Sequence, residues 1–172
     1  MAAEGDVEQL GNGECVQGLY EQPRGGPFAV FVFCDDALST NIGVVNVAGA
    51  AGPGGIELSD PRVWDKWFVT DRFWQESSWA ADVTSFAWSD DLKFLYVATS
   101  GVYGTGSLYR LSLVERSSAH ILTDSRKDES QDHARDVRIT RMDEEAGEVV
   151  VEVDYVDQGG EAKRVLDRVE MK

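Results

Sequence analysis

Apolar and polar residues alternate along this chain in short runs separated by glycine, proline and acidic pairs, a period of two that predicts strands. The clearest stretch is FAWSDDLKFLYVATSGVYGTGSLYRLSL, from Phe86 to Leu113. Here "VTSFAWS" alternates and stops at the turn signal Asp90-Asp91, and "KFLYVATS" runs on to Gly101. After a glycine-bearing loop, "GSLYRLSL" alternates again with Tyr109, Leu111 and Leu113 on one face. Three short strands joined by tight loops predict an antiparallel meander. The middle strand is apolar on both sides, with Phe94, Tyr96 and Ala98 opposing Leu95 and Val97. Such a strand needs cover on both faces.

The same outline recurs twice. Downstream lie an acidic turn (Asp143-Glu144-Glu145), a β-branched run from Val149 to Val153, a Gly159-Gly160 loop and a final amphipathic run. Upstream come a strand, a Gly-Gly-Pro turn, the doubly apolar run Phe28 to Cys34, a loop, and the run Ile42 to Val47. Three meander units of about nine strands follow from this repetition. In the third unit Val149, Val151, Val153 and Tyr155 share one face, while Glu152 and Asp154 occupy the other. One wet face puts that strand on the outside of the core. The run EAKRVLDRVEMK, residues 161–172, fits either a helical stripe or a strand, and the repeat register favours a strand.

Between the first two units the pattern breaks. The glycine-rich stretch Ala48 to Gly55 predicts a loop, and Asp60-Pro61 supplies an N-cap followed by an N1 proline. A short aromatic-rich helical insertion is therefore expected within residues 50–82, with a helical turn or two on each side of Thr70-Asp71. The run TDSRKDESQDHARD, residues 123–136, has nothing to bury and predicts a polar loop, and residues 1–14 predict a flexible N-terminus.

The turn Trp88-Ser89-Asp90-Asp91-Leu92, followed by a hydrophobic strand, resembles blades of WD40-like and TolB-like β-propellers, in which W-S-x-D-G precedes such a strand. The family's glycine is replaced here by Leu92, and the likeness covers only Phe86 to Leu113. The expected fold is mainly β in a single domain, with two arrangements open. The three meanders pack face to face as a sandwich or strongly curved sheet, or they form a partial propeller completed by another copy or a partner. The first is preferred, because an apolar insertion can close the open side.

Charge narrows the partners. Thirty-one acidic residues face sixteen basic ones, for a net charge of −15. The net charge is −8 over residues 1–60, −1 over 61–114 and −6 over 115–172. Nucleic acid binding relies on lysine and arginine neutralising phosphates, so DNA and RNA are unexpected partners. The first residues lack a basic and apolar leader, and no apolar run of about 20 residues spans a bilayer, so no membrane association is expected. Cys15 and Cys34 are too few for a disulfide scaffold and predict two reduced thiols in a cytoplasmic protein, with Cys34 inert inside a strand.

No catalytic constellation stands out. All five tryptophans lie between Trp64 and Trp88, and they read first as core rings covering a sheet. The loop Ser100 to Ser107 has two glycines around a threonine, but a strand follows it, so it reads as a hairpin and not a phosphate loop. Asp128, Asp132, His133 and Asp136 match no zinc or calcium spacing, and no G-x-S-x-G elbow pairs a serine with His120 or His133. Neither cofactor nor metal is expected. The leading expectation is a non-enzymatic module docking a basic protein, of immunity or inhibitor type, through Trp64, Trp67, Trp74, Trp79, Tyr103, Glu144 and Glu145. A homodimer is compatible with it. The alternative is a carbohydrate-binding module or hydrolase using the tryptophans and nearby carboxylates.

Overall fold

The computed structural model describes residues 7–10, 16–34, 40–47, 66–68, 81–101, 106–122, 133–156 and 159–171. Among these, twelve strands form two antiparallel sheets. The smaller sheet has the order β2 (Gly18–Glu21), β3 (Phe28–Cys34), β4 (Thr40–Asn46) and β5 (Lys66–Phe68). The larger has eight strands: β1 (Val7–Gln9), β6 (Ala81–Trp88), β7 (Phe94–Gly101), β10 (His133–Asp143), β11 (Glu148–Val156) and β12 (Ala162–Glu170) in that order. On β7 branch β8 (Ser107–Ser112) and then β9 (Ser117–His120).

The three meanders are thus present as β2–β4, β6–β8 and β10–β12. The last two are not separate sheets: Ser100 of β7 pairs with Asp136 of β10, and the Gly106 amide donates to the Ala134 carbonyl at 3.0 Å. Gly106 is needed at this seam, because a Cβ there would lie 2.7 Å from the Arg135 carbonyl oxygen.

Period two explains the burial. Val30, Val32, Ile42 and Val44 of the small sheet pack against Val83, Phe86, Trp88, Leu95, Val97, Tyr109, Leu111 and Leu113 of the large one. The opposite face of β7, Tyr96 and Ala98, joins Leu108, Val137, Ile139, Met142, Val149, Val151, Val153 and Tyr155 in a second core. The doubly apolar strand β7 therefore has cover on both faces. So does β3, whose Ala29 and Phe31 pack with Val45 and Val47 on the side away from the large sheet. Each fully buried valine or leucine contributes on the order of 1.5–3 kcal/mol of transfer free energy.

The large sheet curls, bringing β10 back against β6 and β1. Polar side chains tie this closure. Ser85 Oγ accepts the Ile139 amide at 2.9 Å, Gln9 Nε2 donates to the Ile139 carbonyl at 2.6 Å, and Thr84 Oγ1 donates to the Val137 carbonyl. Register shifts in β6 (Val83/Ser85) and in β10 supply the bend.

Four expectations need correction. Lys66–Phe68, inside the expected helical insertion, is a strand paired with Gly43, Val44 and Val45 of β4. A buried strand with an open edge needs backbone partners, and that demand overrides the local Asp60-Pro61 signal. The one helical turn among the described residues is the 3-10 turn Pro23–Gly25. Val7–Gln9, within the expected flexible N-terminus, pairs with Ala87, Phe86 and Ser85. His133–Asp136, within the expected polar loop, already belongs to β10. Finally, Cys34 is not a reduced thiol but is disulfide-bonded. The chain holds one other cysteine, Cys15, which lies outside the described residues. The 161–172 run resolves as expected, with β12 a strand and not a helix.

Candidate functional site

The outward face of β10–β12 carries a group of opposed charges. Because Val137, Ile139, Val151, Val153 and Val165 turn inward, their neighbours Asp136, Arg138, Glu152, Asp154 and Arg164 turn outward. Register aligns them: Asp136 faces Asp154, which faces Arg164, and Arg138 faces Glu152. Together these five side chains line a recess of about 260 Å³.

Their roles differ. Arg164 clamps Asp154 with two hydrogen bonds, Nε to Oδ1 at 2.8 Å and Nη2 to Oδ2 at 3.2 Å, and stands 3.4 Å from Glu152. That bidentate bond holds the Asp154 carboxyl below the usual carboxylate range. The Arg138 guanidinium donates to Gln9 Oε1 (3.0 Å), the Thr84 carbonyl (3.2 Å) and the Leu10 carbonyl (3.4 Å), so it fastens β1 and β6 to β10. Asp136 is the exception. Its Oδ1 is shielded from water and has no hydrogen-bond partner. Burial pushes its carboxyl above the ordinary value, only partly offset by the charge of Arg138. A shielded carboxylate oxygen without a donor is chemically an acceptor for an incoming ammonium or guanidinium.

A second charged group sits at the β10–β11 turn, where Arg168 bridges Glu148 (2.9 Å) and Asp143 (3.3 Å). The expected binding residues Glu144 and Glu145 occupy this turn. Glu144 is already engaged: its Oε1 accepts the Asp90 amide at 3.0 Å, and burial raises its carboxyl above the usual range. Glu145 is exposed beside it. The structure does not bring these two glutamates into the recess. Of the expected aromatic residues, Trp67 lies on β5 opposite Val44, and Trp64, Trp74, Trp79 and Tyr103 lie outside the described residues. Trp88 is core, 5% exposed and edge-to-face with Phe86 at 6.4 Å.

Pattern reading weighed Asp136 only as a metal ligand within an expected polar loop, and it missed Arg138 and Arg164. A signal existed for Asp136 and Arg138, since Asp136-x-Arg138 continues the alternation of Val137 and Ile139. Among the described residues no three histidine, cysteine or carboxylate side chains converge as a metal site, and no helix is long and apolar enough to cross a membrane. No protein-family model matches the chain, nor does any curated protein or solved structure.

Proposed function

We propose that this protein is an acidic binding module that docks a basic protein at the β10–β12 recess. The observation that carries this reading is the unpartnered Asp136 Oδ1, set beside Glu152 and Asp154 in a recess large enough for a lysine or arginine tip. An unsatisfied buried polar atom opposes folding, and such atoms are retained where something else satisfies them. The net charge of −15 supports the sign of the partner by steering encounter over a longer range. Disulfide-bonded Cys34 supports an oxidising compartment in place of the expected cytoplasm. Trp64, Trp74 and Trp79 lie outside the described residues and favour neither docking nor the carbohydrate or hydrolase alternative, so the charged recess alone carries the docking reading.

The test is kinetic binding of a lysine- and arginine-rich peptide to the immobilised protein. Asp136→Asn with Glu152→Gln should weaken binding by about tenfold or more, as expected when a desolvated charge partner is removed. The association rate should fall between about 50 and about 500 mM salt, as the Debye length shrinks from about 14 to about 4 Å. Unchanged affinity in the double variant would reject the recess as the docking point.

A further inference from the structure

We infer that Ser107 and His120 form a nucleophile–base pair able to take an acyl group from a small activated ester. This site is separate from the charged recess and independent of the docking reading.

The pair stands where the apolar layer between the two sheets turns polar. Along β7 and β8 the register sets Leu95 opposite Leu111, Val97 opposite Tyr109, and then Thr99 opposite Ser107. Thr99 and Ser107 are both buried, at 0% and 4% exposure. Thr99 fixes the serine backbone, its Oγ1 accepting the Ser107 amide at 3.1 Å. His120, on the neighbouring β9, is exposed and lies opposite Tyr109 in register. The two rings stack with centroids 5.2 Å apart and planes 24° apart, which orients the imidazole. In that orientation His120 Nε2 is hydrogen-bonded to Ser107 Oγ.

Two features separate this from an ordinary buried serine. Its hydroxyl is bonded to an imidazole, a group basic enough to take its proton near neutral pH. The imidazole is also the exposed member, so protons and reagent can enter from its side. With Nδ1 protonated, Nε2 accepts the Ser107 hydroxyl proton as Oγ bonds to the acyl carbon. Collapse of the tetrahedral adduct breaks the bond to the leaving alkoxide or phenoxide, which takes the proton from Nε2. Water then repeats the sequence, giving its proton to Nε2 and releasing the acid and free Ser107. The shielding of Ser107 restricts the acyl group to a small one such as acetyl.

The probe is 4-nitrophenyl acetate applied to the whole protein, with peptide mass mapping to locate acetyl groups and phenolate release to time them. Acetylation should appear at Ser107. His120→Gln should slow it by about 10²-fold or more, the usual contribution of a general base, and Ser107→Ala should abolish it. His120→Gln alters an exposed side chain and carries the test if Ser107→Ala fails to fold by circular dichroism. Acetylation confined to lysines, or an undiminished rate at Ser107 in His120→Gln, would overturn the assignment.

Discussion

At Asp136 a single oxygen sets a stability balance. Its Oδ1 is out of water without a donor, and burial holds the carboxyl above its ordinary value. A raised acid pKa means that the folded state binds the proton more readily than the unfolded chain does. The resulting penalty is complete above the folded value and disappears as pH falls through it toward the ordinary value of 3.8. Asp136→Asn should therefore stabilise the protein at neutral pH by about 1 kcal/mol, the low end for an unpaired buried polar group. Its advantage should vanish below the ordinary carboxylate range. Urea midpoints of both proteins against pH measure this, and a variant less stable than the parent at pH 7 contradicts it. Ser89 shows the opposite condition, a buried hydroxyl fully used. Its Oγ accepts the Phe94 amide at 3.0 Å and donates to Asp91 Oδ1 at 2.7 Å, which lowers the Asp91 carboxyl. This bonding holds the β6–β7 turn although Leu92, at the position where a blade motif has glycine, takes a left-handed φ of 59°. Ser89→Ala should lower stability by about 1–2 kcal/mol in chemical unfolding.

Between elements, packing is decided by which residues face each other across strands. Gly43 of β4 stands opposite Phe31 of β3, and a Cβ at Gly43 would collide with the Phe31 ring. That ring is 4% exposed and has little room to withdraw. Gly43→Ala should therefore destabilise by about 1–3 kcal/mol through overpacking, despite its better strand propensity. Leu95, fully buried between the sheets, should cost about 2–5 kcal/mol when cut to alanine. Thermal or urea unfolding checks both, and an unchanged midpoint for Leu95→Ala would contradict the inter-sheet core. At the margin of the large sheet β12 is mostly exposed, and Lys163, Arg164, Asp167 and Arg168 place charge along it, which discourages edge-to-edge association.

Across the whole molecule, one guanidinium spans the closure of the curled large sheet and ties β10 to both β1 and β6. Arg138 of β10 reaches Gln9 and Leu10 at the N-terminal end and Thr84 of β6, more than 50 positions away along the chain in every case. Arg138→Ala should destabilise by about 1–3 kcal/mol, since buried carbonyls lose a charged donor. It should also release β1, read as faster hydrogen exchange at the Gln9 and Leu10 amides. Unaltered exchange there would show that β1 is held by its pairing with β6 alone.

Alternation by itself determined the strands of the three meanders and their wet and dry faces. Val149 to Val153 against Glu152 and Asp154, Phe28 to Cys34, and Phe94 to Gly101 all sit as their patterns predict, because the pleat is local and sends successive side chains to opposite sides. Partnership was not local. That Lys66–Phe68 takes the β4 edge, that Val7–Gln9 joins β6, and that Ser100 meets Asp136 all depend on which backbone edges lay open once the sheets had assembled. The recess had the same origin. Asp136 and Arg138 lie far in sequence from Arg164, and only the register of three strands sets them side by side. Ser107 and His120 met in the same way, across β8 and β9, where neither residue carries a local motif. Short-range sterics write face and strand into the chain, whereas charge and nucleophile acquire meaning only from neighbours that folding supplies.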